Sequence, residues 1–329
     1  TEEALPAHLS RAIAERLDTL APCTLITVPA AKTRAALQPV EALGQAARAA
    51  GVTHASVIVA LGGEGVHGVA ALLAGRYCEG LRLVSLPTTL HAQITACLPL
   101  NHERPNGEGD HRSQFTAPQF IWAHLTFLDL LPAREIRVGL CELIKQTLTI
   151  KPALLGEVSA LLRPDAHYTQ AQLARVIECS IEVRTDLLAA GEREPYELLT
   201  LTYGQPIGCA LERLARGQLL PGEAEGLGLL VSADIAQRRG LLAIPNVRTH
   251  YQLLRACGLP TAIPAIINPE QVLQIMRQDC QLTPYSPQPG TIDLVLLEGL
   301  GRPYRTAGSP LTSVTEQEVR DALQRCRAV

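Results

Sequence analysis

Through the first 130 residues, short apolar runs alternate with stretches whose apolar positions recur every three or four residues. Cys23 to Val28 is rich in β-formers and predicts a first strand. Arg34 to Ala50 sets Leu37, Val40, Leu43 and Ala47 on one helical face. Ala55 to Leu61 predicts a strand running into Gly62-Gly63, with a helix from Val66 to Gly75 behind it. Arg82 to Leu86 predicts another strand, stopped by Pro87, and Phe120 to Leu128 one or two more. Strands apolar throughout and alternating with helices imply a parallel sheet covered on both faces. Between them, Leu98 to Gln114 is polar, holds Pro99, Pro105 and Asn106-Gly107, and reads as a loop.

From about residue 131 the period changes to that of helices. Gln170 to Ala189 carries Leu173, Val176, Ile177, Ile181, Leu187 and Leu188 at helical spacing, and Ile207 to Arg216 and Glu223 to Gly240 continue the pattern. Glu316 to Arg327 predicts a last helix with a capping box of Thr315 and Glu318. A short strand is expected at Ile292 to Leu297. The change of period places a boundary near residues 128 to 133, giving an α/β domain over 1–130 and a mainly α-helical domain over 131–329.

Composition narrows the function classes. The chain has 329 residues, enough for two cores, with 47% apolar and 19% charged residues and no repeat or disordered bias. No apolar run approaches the roughly 20 residues of a membrane span. A net charge of −3 without a Lys/Arg cluster argues against a nucleic-acid groove. With no export signal in view, a cytoplasmic protein is expected. Nine scattered cysteines without a CxxC pair read as reduced, mostly buried thiols. Lys32, Lys145 and Lys151 are the only lysines.

Several motifs occur in a telling order: Ala60-Leu61-Gly62-Gly63, Pro87-Thr88-Thr89-Leu90, Leu131 to Lys145, Gly258-Leu259-Pro260 and Leu296 to Gly301. In this order and spacing the chain resembles dehydroquinate synthase, of the sugar phosphate cyclases, from about residue 52 to 304. Iron-dependent alcohol and glycerol dehydrogenases share that fold, but the Pro-Thr-Thr-Leu stretch and the Glu142 to Lys145 context favour the cyclase side. The resemblance implies a Rossmann-like N-terminal domain, a helical C-terminal domain, NAD, a divalent metal and a homodimer formed through the sheet domain. Only about 22 residues precede the first expected strand, so the Rossmann-like domain is expected to be incomplete.

The residues that the resemblance assigns to chemistry are largely replaced. Of the metal ligands only Glu142 persists; the two ligand histidines correspond to Gln205 and Pro221, so no zinc site is expected. At substrate positions, Thr95 stands for an aspartate, Asn101 and Asp110 for lysines, Leu198 for an arginine and Thr202 for an asparagine. Glu142, Lys145 and Arg184 keep comparable chemistry. In the dinucleotide turn the remnant is Gly62, Gly63, Thr88 and Thr89, while Glu64 brings a carboxylate to the phosphate cradle and Gly68 replaces an aspartate. NAD is therefore expected to be absent or weakly bound.

Plainer readings stand beside these. Glu142 and Lys145, three apart, also suit an ordinary ion pair on one helical face. Cys97, Cys141 and Cys209, with His67, His91 and His111, suit buried structural groups as well as a rebuilt nucleophilic or metal site. The expectation drawn is a dehydroquinate-synthase-like protein without NAD- and metal-dependent cyclisation, acting as a non-catalytic binding, scaffold or regulatory subunit. It would be a homodimer, joined to a catalytic partner protein. The alternative is an enzyme of a specialised biosynthetic pathway that uses the old interdomain cleft without the family metal site.

Overall fold

The computed structural model describes residues 1–29, 38–77, 80–96, 116–191, 197–278 and 290–328. It divides into two compact units, Thr1–Leu131 and Pro132–Val329. In the first unit, α1 (Ala7–Asp18) and α2 (Gln38–Ala49) precede β1 (Val57–Gly62), α3 (Glu64–Arg76), β2 (Arg82–Pro87), α4 (Leu90–Ala96) and β3 (Phe120–Ile121). The strands form one parallel sheet in the order β1-β2-β3, with Val57 opposite Arg82 and Gly62 opposite Pro87. Ala60 and Leu83 of the strands pack with Val66, Ala70 and Ala74 of α3, which seats that helix on the sheet and aims its N-terminus past the end of β1.

Two expectations in this unit are corrected. Cys23 to Val28 is not a sheet strand: only Val28 bridges, in parallel, to Glu2. Its β-forming composition lacked a neighbouring strand to pair with. Phe120 to Leu128 gives only the two residues of β3, and Leu125–Leu130 coils into a 3-10 helix. A short apolar run serves either state, and here the turn before Pro132 decides it. The expected loop at Leu98 to Gln114 lies outside the described residues, as does the N-terminal part of the expected Arg34 helix.

The second unit is built on helices: α5 (Ala133–Thr149), α6 (Leu155–Leu161), α7 (Gln170–Gly191), α8 (Gln205–Ala215), α9 (Pro221–Arg238), α10 (Ile244–Cys257) and α11 (Pro269–Gln278). Two small antiparallel pairs follow, β4 (Thr291–Val295) with β7 (Leu311–Thr315) and β5 (Leu297–Gly299) with β6 (Arg302–Pro303), then α12 (Glu316–Arg325). The capping box forms, with Glu318 N–H donating to Thr315 Oγ1 at 3.3 Å and Thr315 N–H to Glu318 at 2.9 Å. Helix α9 is buried along almost its whole length.

Helices α8 and α9 meet through glycine. A Cβ on Gly228 would lie 2.1 Å from the Gly204 carbonyl oxygen, and one on Gly208 would lie 2.7 Å from Glu225 Cα. Any side chain there would push the helices apart, so Gly208 and Gly228 are fixed by packing. Among the described residues, no helix is long and apolar enough to cross a membrane.

Candidate active site

In the helical unit, three helices bring four charged side chains together. Glu142 and Lys145 lie one turn apart on α5, Arg184 comes from α7 and Glu225 from α9. Lys145 Nζ is 2.6 Å from Glu142 Oε2 and 2.7 Å from Glu225 Oε1. Arg184 Nη2 donates to Glu142 Oε1 at 3.1 Å, and Gln146 Nε2 donates to the same oxygen at 2.9 Å. Glu142, Lys145 and Arg184 are each 5% exposed or less. Among the described residues, two carboxylates thus face two cations in a dry interior, a set in which losing one member strands another.

Burial alone would push Lys145 down, but Glu142 and Glu225 reverse that and hold its ammonium above the ordinary lysine value. Lys145 is therefore a fixed positive charge and hydrogen-bond donor across the working pH range. The sequence reading named Glu142, Lys145 and Arg184 as retained positions, and the structure brings them together. The Glu142–Lys145 pair three residues apart forms as the plainer reading has it, but buried and within a network spanning three helices. Glu225 was missed. Its signal was present, since it is the one charged residue between Ala224 and Ala233, and a lone charge in an apolar helix demands a partner.

The donor set does not suit the metal that the resemblance implies. Both oxygens of Glu142 are engaged by cations or an amide, Gln205 opens α8 and Pro221 opens α9. A zinc-type site requires about three protein ligands, and neither an amide nor proline replaces imidazole. Among the described residues, no group of three or more His, Cys, Asp or Glu could hold a metal ion. Glu223, beside Pro221, is bound by Arg134 Nε at 2.7 Å; burial opposes its ionisation, but Arg134 and the Leu220 N–H outweigh it and hold the carboxyl low.

The other candidate groups are less reactive. Cys141 is buried, and burial with the carboxylates around it raises its thiol well above the ordinary value, which removes the thiolate a nucleophile needs. Cys23, Cys141, Cys179, Cys209, Cys257 and Cys326 form no disulfide among the described residues. Cys97, His111, Asn101 and Asp110 lie outside the described residues. Thr202 Oγ1 donates to the Leu199 carbonyl at 2.7 Å within a 3-10 turn that also holds Leu198. A separate depression of about 400 Å³ is lined by Glu197, Glu298, Gly301, Arg302, Pro303, Tyr304 and Arg305, with Arg305 paired to Glu197.

In the sheet unit, the expected turn forms where β1 ends and α3 begins. Thr88 N–H donates to the Gly62 carbonyl at 2.9 Å, and a Cβ on Gly63 would touch Thr89 Cγ2 at 3.5 Å, so Gly62, Gly63, Thr88 and Thr89 are brought together. Thr89 Oγ1 also accepts from Ala92 N–H at 3.1 Å, which caps α4. Glu64 behaves differently from the sequence expectation. Its carboxylate lies 2.8 Å from His91 Nε2 and its side chain is 65% exposed. The carboxylate seated on the cradle belongs to Glu2, whose Oε1 accepts from Gly63 N–H at 2.7 Å.

His67, on α3, donates through Nε2 to the Gly62 carbonyl at 3.1 Å. Burial lowers it to about 4, against smaller opposing effects of that carbonyl and Glu64, so its ring is neutral at physiological pH. The turn suits an anion: a backbone N–H at a helix N-terminus, lined by glycine, already holds a carboxylate.

Comparison with known proteins sets this geometry in a family. Models of the 3-dehydroquinate synthase N-terminal and C-terminal domains match residues 25–138 and 139–281. The 2-deoxy-scyllo-inosose synthase of Streptomyces lividus is 33% identical over 294 residues, covering 89% of this chain and 77% of that protein. The protein of the same name from Streptoalloteichus tenebrarius is 34% identical over 293 residues, covering 88% and 76%. A crystal structure of 2-deoxy-scyllo-inosose synthase complexed with carbaglucose-6-phosphate, NAD+ and Co2+ has a TM-score of 0.86 at 26% identity, covering 99% of this chain and 89% of that one. A 2-epi-5-epi-valiolone synthase from Streptomyces hygroscopicus with NAD+ and Zn2+ bound shares the fold, with a TM-score of 0.71 at 21% identity over 97% and 88% of the two chains.

These relatives correct the expectation of a non-catalytic binding, scaffold or regulatory subunit. Proteins alike over nearly nine-tenths of this chain are named as synthases, and none of the similarity is confined to one unit. Counting lost ligands set the side chains that left above the charged residues that stayed, Glu142, Lys145 and Arg184, and it did not see Glu225 beside them.

Proposed function

Because the chain belongs to the dehydroquinate synthase-like sugar phosphate cyclases, we propose that it is an enzyme closing a carbocycle from a phosphorylated hexose in a specialised biosynthetic pathway. The observation that carries this reading is the 33% identity to a 2-deoxy-scyllo-inosose synthase across both units. The buried cluster supports it, since Glu142, Lys145 and Arg184 keep the charge pattern that the resemblance assigns to chemistry. In this proposal Lys145 and Arg184 supply the fixed positive field for charge developing on substrate oxygen, without the family metal. Glu142 and Glu225 hold those cations in place.

Gly62, Gly63, Thr88 and Thr89 would hold the diphosphate of a nicotinamide dinucleotide. When bound, that cofactor supplies a reversible hydride acceptor. The reading includes a cytoplasmic homodimer formed through the sheet unit, for which sedimentation at micromolar concentration should give a dimer.

Glucose 6-phosphate, of which carbaglucose-6-phosphate is the carbocyclic analogue, is the substrate to test. Incubation with the protein and NAD+ should yield a phosphate-free cyclic ketone by mass spectrometry and NMR, with turnover lost in Lys145→Met. Unchanged sugar phosphate after prolonged incubation at stoichiometric enzyme would contradict the proposal.

A further inference from the structure

Gln146 lies one turn beyond Glu142 on α5 and is fully buried. Its backbone is held firmly, since the Ile150 and Lys151 N–H groups donate to its carbonyl at 2.9 and 3.2 Å. Its Nε2 donates to Glu142 Oε1 at 2.9 Å, while its own Oε1 has no hydrogen-bond partner among the described residues. The opposite amide orientation would set two acceptor oxygens against each other, so the carboxylate dictates the one observed. A buried acceptor left unmet costs about as much as the bond at the other end of the amide returns. An apolar side chain of the same length would avoid that cost in this core. What the amide adds is its single bond to Glu142.

That bond divides the Glu142 carboxylate between its neighbours. Oε1 accepts from Gln146 and from Arg184 Nη2 at 3.1 Å, and Oε2 lies 2.6 Å from Lys145 Nζ. The ammonium keeps a second contact, Glu225 Oε1 at 2.7 Å. Without the amide donor, Oε1 loses the nearer of these two bonds and the carboxylate is free to turn both oxygens toward the ammonium. A cation in a dry interior follows the nearer negative charge, so Lys145 would be drawn toward Glu142 and away from Glu225.

We infer that Gln146 is a positioning residue of the cluster: it fixes the rotation of the Glu142 carboxylate and so keeps the Lys145 ammonium shared between Glu142 and Glu225. The inference rests on the reading of this cluster as the active site, and Gln146 acts there only through Glu142. A carboxyl in place of the amide donates to Glu142 only while protonated, and burial beside a carboxylate raises the pH at which it ionises. Gln146→Glu therefore switches the positioning bond off as pH rises, whereas Gln146→Met removes it at every pH.

Lys145 is one of three lysines, with Lys32 and Lys151, so its signal is followed directly by NMR of the full chain carrying lysine labelled with 13C at Cε. Gln146→Met should shift the Lys145 signal and leave the other two in place. Gln146→Glu should match the native signal in mild acid and move to the Gln146→Met position as pH rises. Turnover of glucose 6-phosphate with NAD+ should follow, with kcat about tenfold lower in Gln146→Met and KM within about twofold. Gln146→Glu should lose turnover toward alkaline pH where the native protein does not. Thr147→Val, which removes a buried hydroxyl bonded to the Leu143 carbonyl on the same helix, should change neither readout. A Lys145 signal unmoved in both Gln146 variants, or moved as far by Thr147→Val, would overturn the positioning role, as would native turnover in Gln146→Met. Shifted signals without turnover by any of the proteins would uphold the hold of Gln146 on Lys145 and overturn the cyclase reading instead.

Discussion

The two units treat an inherited site in opposite ways. In the sheet unit the anion position is made of backbone: the Gly63 N–H, the glycines that leave room, and the start of α3. Substituting Glu64 and Gly68 around it changes the neighbourhood but leaves the donor in place. In the helical unit the chemistry that the resemblance implies is made of side chains, and Gln205 and Pro221 stand where it implies two ligand histidines. The glycine seam between α8 and α9 survives because it serves packing, which depends on different atoms. A backbone site persists as long as the fold does, whereas a side-chain site is only as durable as each residue. What the described residues hold there is a salt-bridge network around Glu142 and Lys145.

That contrast predicts unequal responses to single charge changes. Lys145→Met leaves Glu142 and Glu225 facing each other in the dry core and should cost about 3–5 kcal/mol in urea unfolding. Glu2→Gln, at a half-buried position where the amide oxygen can still accept from the Gly63 N–H, should stay within about 1 kcal/mol of the native protein. Similar losses for the two would erase the distinction between the units.

Acid should affect the units alike, since among the described residues each buries one neutral histidine. His67 and His250 are both lowered to about 4, chiefly by burial; His250 Nε2 meets Tyr203 Oη at 2.9 Å and its Nδ1 meets the Asn246 carbonyl at 2.8 Å. Unfolded histidine titrates near 6.5, so the unfolded chain binds protons first as pH falls. The stability each neutral ring contributes is present above about 6.5 and is lost as pH falls through about 4, by about 3 kcal/mol per histidine. Unfolding free energy measured from pH 7 to 4 should fall in this window, less steeply in His67→Gln and His250→Gln. Unaltered slopes in both variants would show that the rings titrate freely.

Glycine substitutions sharpen the packing half of the comparison. Gly228→Ala drives a methyl into the Gly204 carbonyl and should cost about 1–3 kcal/mol or more. Gly68→Ala, in the interior of α3 with nothing within 4 Å of its Cβ, should stabilise by about 0.5–1 kcal/mol. Thermal melts of the two variants moving in the same direction would contradict the assignment.

Much of this architecture was legible in the sequence because it is local. The apolar strand at Val57–Gly62, the helix behind it, the long α7 and the Thr315 capping box each follow from neighbours in the chain. Cys23 to Val28 misled because strand propensity says nothing about whether a partner strand lies alongside. Glu142, Lys145 and Arg184 were readable through a family motif. Glu225 left a signal as a lone charge in an apolar helix, but its partner 80 positions away was not legible, nor was the meeting of Glu2 with Gly63 across 61 positions. The functional reading went astray for a related reason: missing ligands show in a motif, whereas a new ion-pair partner shows only once the helices are packed.

The central claim, proposed above, is that this chain closes a carbocycle without a bound metal. It is tested most directly by turnover of glucose 6-phosphate with NAD+ after exhaustive chelation, with elemental analysis of the same sample. The cyclic ketone should form at the same rate in protein carrying no stoichiometric metal. Activity that vanishes on chelation, returns with Co2+ or Zn2+, and accompanies about one ion per chain released by Glu142→Ala would contradict it.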